Sequence, residues 1–124
     1  MKLVYANAET KKLDHSLSLP AESTLHVFHT GIKLKTHDHL KDQTLQFSST
    51  DLNKITEKAY SILRSPEGTA NELGKCLNAY HECLKTFSLV APHSLDLVQE
   101  IIKIPGVFGC KGSGALGSDL ILVL

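Results

Sequence analysis

The hydrophobic period of the chain changes twice, and this change constrains the fold more than any other feature. Apolar residues recur at helical spacing between about residues 50 and 104, whereas the flanks on both sides have patterns typical of strands. Strands at both ends with helices between them predict an α+β fold, with an antiparallel sheet and about three helices packed on one face. A chain of 124 residues is expected to form a single domain, residues 1–124.

Three helices are predicted in the middle of the chain. The first begins with Ser49 or Thr50 as its cap and ends at residues 65–68, where Pro66 and Gly68 interrupt it. The second begins with a capping box over residues 69–72, and the third lies between Pro92 and Pro105. Their apolar stripes are Leu52, Ile55, Ala59, Ile62 and Leu63; Leu73, Cys76, Leu77, Tyr80, Leu84 and Phe87; and Leu95, Val98, Ile101 and Ile102.

Strands are predicted at six places. Pro20 and Gly31 each follow such a segment and stop it, since neither residue continues a regular strand well. Residues 120–124 form an uninterrupted apolar run, which is typical of a strand covered on both faces. The predicted strands are residues 3–5, 16–19, 24–30, 44–47, 107–110 and 120–124.

Charge and cysteine content exclude several partners and indicate a compartment. Thirteen basic and thirteen acidic side chains leave no net charge, so we expect neither nucleic acid nor a membrane surface as a partner. We find no signal peptide and no apolar run long enough to span a bilayer. Cys76 and Cys83 are two helical turns apart, beyond disulfide reach, so reduced thiols and a cytoplasmic location are expected.

Residues 109–119, GCKGSGALGSD, contain four glycines and invite two interpretations. Glycines let main-chain N–H groups converge on an anion, and Lys111 and Ser113 could add a charge and a hydroxyl. The stretch fails the Walker and dinucleotide patterns, because the lysine precedes the glycines and a strand follows them. Taken alone, such a turn between two strands is more often a hairpin than a ligand site.

The stretch from Pro105 to Asp119 resembles the C-terminal glycine-rich motif of the GHMP kinases, a family that includes galactokinase, homoserine kinase, mevalonate kinase and phosphomevalonate kinase. Residues 74–95 are similar to the long helix of that family and the start of the next one. Thr30 and Gly31 resemble the point where the helices of the C-terminal half begin, with Thr36 in a serine/threonine position. The resemblance covers about residues 20–124, and its motif positions are held by Lys111, Ser113, Gly114, Ala115 and Gly117.

The resemblance implies a ferredoxin-like C-terminal domain of an ATP-dependent small-molecule kinase. Its phosphate and substrate loop would comprise Lys111, Gly112, Ser113, Gly114, Ala115 and Gly117, with a pocket rim of Thr30, Gly31, Thr36 and His37. ATP and Mg²⁺ would be the cofactors of the complete enzyme, and the acceptor a sugar or a mevalonate-like alcohol. Leu116, Ser118 and Asp119 depart from the small residues usual in the family.

The family's central Pro-x-Gly-x-Gly-x-Ser loop, which wraps the ATP phosphates, does not occur in these residues. The chain is therefore expected to need an N-terminal kinase half, on the same or a separate chain, and to be inactive as a kinase and without cofactors by itself. The alternative is a non-catalytic binding or assembly module. A kinase half should expose an apolar patch beside the glycine loop, whereas a separate module should cover that patch or pair it in a homodimer.

Histidines suggest weaker hypotheses. His37 and His39, with His26 and His29 earlier, raise the question of a metal, but His26 and His29 should lie on opposite strand faces, so no metal site is predicted. His81 is expected on a solvated face of the second helix. Asp119 is expected to cap a turn.

Overall fold

The computed structural model of the chain describes residues 2–7, 12–32 and 49–124. It confirms the predicted α+β class, with a three-stranded antiparallel sheet and three helices in an arrangement consistent with a ferredoxin-like fold. The elements are β1 (Lys2–Asn7), β2 (Lys12–Ser18), β3 (His26–His29), α1 (Ser49–Arg64), α2 (Ala70–Thr86), α3 (Pro92–Ile101), β4 (Cys110–Ser113) and β5 (Leu120–Val123), with a 3₁₀ turn at Ala115–Gly117.

Two separate sheets account for the strands. β1 and β2 form an antiparallel hairpin, and the other strands form a sheet in the order β3–β5–β4. β5 is antiparallel to both of its neighbours, so β3 and β4 run parallel to each other with β5 between them. All of the helices lie between β3 and β4 in sequence, which makes this sheet a split β-α-β unit.

The helices confirm the predicted pattern closely. The capping box of α2 is complete: the Glu72 N–H donates to the Thr69 hydroxyl at 3.2 Å, and the Thr69 N–H donates to the Glu72 carboxylate at 3.3 Å. α3 has Pro92 in its first turn, where its missing N–H costs nothing. No helix in the described ranges combines the length and apolar character that a membrane crossing requires.

Four of the six predicted strands were correct in place but not in extent. β1, β3 and β5 coincide with predicted segments, β2 begins four residues earlier than the predicted residue 16, and residues 44–47 lie outside the described residues. The prediction of a strand at residues 107–110 was wrong in position, because β4 begins at Cys110 and continues into the glycine-rich stretch. Glycine weakens strands in general, but a Cβ on Gly112 would lie 2.4 Å from the Gly117 carbonyl oxygen, so glycine is required there.

The core has two clusters. One lies where α1 and α2 meet the end of β5, and the other lies between α3 and one face of the sheet. Leu120 and Leu122 are only half-buried, so β5 is fully covered on one face and partly on the other. The buried members are Ile62, Leu73, Cys76 and Leu124 in the first cluster and Val98, Cys110, Ile121 and Val123 in the second.

A contact between two glycines brings α2 against the backbone just before the start of β4. A Cβ on Gly74 would lie 2.3 Å from the Phe108 carbonyl oxygen, and a Cβ on Gly109 would lie 2.3 Å from the Gly74 carbonyl oxygen. Real Cβ atoms do not approach main-chain atoms so closely, so the two backbones can meet only because both residues lack a side chain.

One turn after Gly74, Asn78 covers the outer edge of β4. Its amide nitrogen donates to the Phe108 carbonyl at 3.4 Å, and its amide oxygen accepts from the Cys110 N–H at 3.0 Å. One side chain thus provides the donor and the acceptor that a neighbouring strand would provide. Free sheet edges invite pairing with other chains, and Asn78 occupies this edge at the start of β4.

We predict that Gly74→Ala destabilises the fold, although glycine-to-alanine changes inside helices usually stabilise by about 1 kcal/mol. The added Cβ would push α2 away from β4, and overpacking of this kind costs about 1–3 kcal/mol. Urea denaturation followed by circular dichroism measures the change. Lys75→Ala, at the exposed neighbouring position, is the control and should stay within about 0.5 kcal/mol of the native protein. A Gly74→Ala protein as stable as the control would contradict the contact.

Candidate functional site

The glycine-rich stretch forms the connection between β4 and β5. Because these strands are antiparallel neighbours, the hairpin interpretation is confirmed. Residues 114–119 make the connection, and two main-chain bonds close it: the Gly117 N–H donates to the Gly114 carbonyl at 2.9 Å, and the Asp119 N–H donates to the Ser113 carbonyl at 3.1 Å. We call residues 114–119 the glycine loop. Whether it also binds an anion depends on how its backbone is held.

The start of α3 fixes three consecutive carbonyl groups of the glycine loop, those of residues 116–118. The Leu116 carbonyl accepts from the Ala91 N–H at 2.8 Å. The Gly117 carbonyl accepts from the Ser94 hydroxyl, and the Ser118 carbonyl accepts from His93 Nε2 at 3.0 Å. A carbonyl oxygen can only accept, so the His93 proton lies on Nε2. Ser94 is fully buried, which shields its bond from water. The loop is therefore tied to the protein body through its carbonyl groups.

Thr30 ties down the end of the glycine loop from the other side. Its N–H donates to the Asp119 carbonyl at 3.0 Å, and its hydroxyl donates to the Ser118 carbonyl. Thr30, which was predicted at a pocket rim, thus contacts the end of the glycine loop. Gly31 follows it at the exposed end of β3 with φ of 78°. Thr36 and His37, the other predicted rim residues, lie outside the described residues.

The backbone of the glycine loop is left-handed at three positions. Gly114 and Gly117 have φ of 89° and 62°, which glycine adopts freely, but Leu116 has φ of 53° and ψ of 30°. This conformation costs a side-chain-bearing residue about 1–2 kcal/mol. The bond from the Ala91 N–H to the Leu116 carbonyl holds it in place. Strained residues of this kind cluster at ligand sites.

Lys111 and Ser113 lie in β4, before the loop itself. The Lys111 ammonium lies 4.9 Å from the centre of the Tyr80 ring in α2, where a cation–π contact stabilises it. Burial lowers the pKa of Lys111, because the charged form loses hydration. Among the predicted loop residues, the structure therefore brings together Gly114, Ala115 and Gly117, whereas the charge of Lys111 is directed to a helix.

The prediction that His81 faces solvent was wrong. His81 is 6% exposed and lies in a cleft of about 540 Å³ between α2 and α3, which Asn78 and Asp96 also line. Burial has the largest effect and lowers the pKa of His81. The charge of Glu82 raises this pKa, and the charges of Lys85 and Lys111 lower it further. The polar residues around His81 hid this face in the sequence, because the cleft beside α3 lies over a stripe of α2 that is not apolar.

The histidines of β3 show no metal geometry. The His26 ring stacks on Phe28, with ring centres 6.2 Å apart. Within residues 2–7, 12–32 and 49–124, no three His, Cys, Asp or Glu side chains lie close enough to hold a metal ion. His37 and His39 lie outside these ranges.

Sequence reasoning missed the residues that hold the glycine loop. No role was predicted for Ala91, His93 or Ser94, which lie at the start of the third predicted helix. The sequence feature that could have indicated their role is the pair His93–Ser94 in the first turn of a helix. Polar side chains at this position that do not cap the helix are available to bond to other main-chain groups. Only distance along the chain, more than twenty residues, concealed these groups.

Comparison with known proteins adds no relative: no protein-family model matches the chain, and no curated protein matches it. The resemblance to GHMP kinases therefore stays a prediction that depends on the residues themselves.

Buried His81 predicts a pH-dependent stability. Its folded-state pKa is below the ordinary value of 6.5, so the unfolded chain binds more protons once the pH falls below that value. The free energy of unfolding should then decrease as the pH falls through 6.5 and below, until the folded-state pKa is reached. His81→Gln should reduce this slope in urea denaturation between pH 7.5 and 5, conditions chosen around the ordinary pKa of about 6.5. Exposed His29→Gln is the control, and equal slopes in both variants would refute the role of His81.

Proposed function

We propose that the chain is the C-terminal domain of an ATP-dependent small-molecule kinase of the GHMP type, in which the glycine loop closes one wall of the phosphate and substrate site. The observation that carries the proposal is the strained Leu116 in a loop whose carbonyl groups are bonded inward. Strain at a residue that the protein body holds in place supports a binding role, because strained residues cluster at ligand sites.

The chemistry that suits this loop is the binding of an anion by main-chain N–H groups. Carbonyl groups of residues 116–119 are bonded to Thr30 and residues 91–94, so the loop's acceptors are occupied by the protein body. Where left-handed and right-handed residues alternate, successive N–H groups point to a common concave side and bind phosphate-like groups. The loop would therefore stabilise a phosphate group without a charged side chain.

The rest of the phosphoryl-transfer machinery would come from another surface. Transfer depends on positioning and on neutralising the charge of the moving phosphoryl group, which ATP-binding loops and Mg²⁺ provide. We assign ATP and Mg²⁺ to the complete enzyme, with an N-terminal kinase half as the partner and a small alcohol or sugar as the substrate. A neutral chain fits such a partner better than nucleic acid or a membrane, and we propose a cytoplasmic location.

An exposed apolar patch beside the glycine loop supports a domain that meets another surface. Phe28 of β3 and Ile104 are each 54% exposed and line one apolar groove, and β3 leads directly into Thr30, which bonds to the loop. This is the feature expected of a kinase half. It is not restricted to that role, since any assembly surface would also be apolar.

The position of Lys111 favours the second candidate, a non-catalytic binding or assembly module. The lysine of the family-like motif rests on Tyr80 and is partly desolvated, so it is withdrawn from a ligand at the loop. A chain that kept the fold and lost the chemistry would tolerate this arrangement. Anion binding at the loop distinguishes the two candidates.

We predict that inorganic pyrophosphate, titrated into the ¹⁵N-labelled chain at constant ionic strength, shifts the amide signals of residues 113–119. Gly114→Ala should abolish these shifts, because its Cβ would lie 2.7 Å from the Asp119 Cβ and would distort the loop. Gly106→Ala is the matched control. Gly106 has nearly the same φ, 90° against 89°, but nothing lies within 4 Å of its Cβ position, so binding should persist.

Unchanged signals for residues 113–119, or equal shifts in both variants, would contradict an anion site at the loop. The non-catalytic module would then be the better account of the chain.

A further inference from the structure

The outer edge of β3 is open to pairing. All four residues of β3 are exposed, and in the described part of the chain no strand pairs with its outer side. The opposite edge of the same sheet is covered by the side chain of Asn78. Within the described residues, the β3 edge of the sheet is therefore open, whereas Asn78 occupies the start of the β4 edge.

The hydrogen-bonding direction of each β3 residue follows from its register. The Thr30 N–H donates to Asp119, and in antiparallel pairs the bonding side alternates from residue to residue. His26 and Phe28 therefore bond toward β5, whereas Val27 and His29 direct their N–H and C=O groups to the open edge. The open edge offers a regular donor and acceptor pattern.

The side chains of β3 do not protect this edge. Natural edge strands are usually defended by lysine, proline or a bulge, and the sequence His26–His29 contains none of these. The strand contains no lysine, arginine, aspartate or glutamate that would repel a second β3. The edge is thus electrostatically compatible with its own copy.

An apolar groove of about 500 Å³ lies beside the same strand. Phe28 and His26 lie on the sheet face that carries Ile121 and Val123, and α3 leaves this part of the face uncovered. Leu97 and Ile104, which are 39% and 54% exposed, form the opposite side of the groove. Apolar surface and open hydrogen-bonding groups therefore occur together.

We propose that β3 pairs with β3 of a second copy of this chain, antiparallel across a twofold axis at Phe28. Val27 of one copy then lies opposite His29 of the other, and these are the residues whose N–H and C=O groups face outward. The two Phe28 residues become the non-hydrogen-bonded pair, about 4.5 Å apart at Cα, with their rings on the groove face. The strand is self-complementary in hydrogen bonds, side chains and charge, and the result is one continuous sheet through both copies.

The size of the contact limits its strength. Stable complexes bury about 800 Å² on each partner, and a strand of four residues with part of one groove provides less. A pair of aromatic residues across strands adds only modestly to such a contact. The dimer should therefore dissociate on dilution. The dimer does not use the glycine loop, but it would cover Phe28, part of the apolar surface that the kinase proposal leaves for an N-terminal half, so a dimer favours the assembly module. Anion binding at the glycine loop is measured separately, so the two proposals can fail separately.

Sedimentation velocity over a range of concentrations should show a monomer that becomes a dimer as the concentration rises. Phe28→Lys places two like charges at the twofold axis and should keep the chain monomeric. Phe108→Lys is the matched control, since it changes another exposed phenylalanine, 40% exposed and away from β3, and should leave the dimer intact.

Cross-linking tests the register. In a Cys83→Ser background, which removes the one thiol that is not fully buried, Phe28→Cys should form a disulfide-linked dimer with oxidised glutathione. Val27→Cys is equally exposed, but its two copies would be more than about 7 Å apart at Cα and should not cross-link. A monomer at every concentration, a dimer that survives Phe28→Lys, or equal cross-linking by both cysteine variants would overturn the proposal.

Discussion

The close approach of Gly74 to Gly109 is the constraint on which the rest of the structure depends. It lets the backbone of α2 touch the backbone that precedes β4, and no residue with a Cβ could stand at either position. From this contact Asn78, one turn later, reaches the edge of β4. Further along the same helix face, His81 lines the cleft between α2 and α3. One glycine contact thus positions both α2 and one wall of that cleft.

The position of α3 in turn determines the glycine loop. Because α3 packs on the sheet through Val98, its first turn lies beside the β4–β5 connection, and Ala91, His93 and Ser94 can bond to it. Thr30 completes the attachment from β3. The strained Leu116 is therefore a consequence of attachments made from two sides, and these attachments are what supports a binding role for the loop.

Much of the fold could be predicted from the sequence because it depends on local patterns. Apolar periodicity located all three helices, and the capping box located the start of α2 to the residue. The second face of α2, Gly74, Asn78 and His81, could not be found in this way, since it is small or polar and its partners are distant main-chain groups. The same reason applies to β4, where Gly112 looks like a turn residue but is required by Gly117 across the hairpin.

The predicted site was only partly assembled. The structure brings Thr30 against Ser118 and Asp119 at the end of the glycine loop, whereas it directs the ammonium of Lys111, predicted at the loop, to Tyr80. Side chains alternate between the two faces of a strand, so Lys111 points to the face opposite Cys110 and Gly112. The start of β4 had to be known before that face could be assigned.

Hydrogen exchange of the Cys110 amide in Asn78→Ala tests the central claim most directly. Cys110 donates to Asn78 at the outer edge of β4, whereas Lys111, the next residue, faces β5 within the sheet. The account predicts that the variant speeds exchange at Cys110 and leaves Lys111 slow. If Cys110 stays as slow as in the native protein, or if both amides change together, then Asn78 does not close this edge and the role given to the contact between α2 and β4 is wrong.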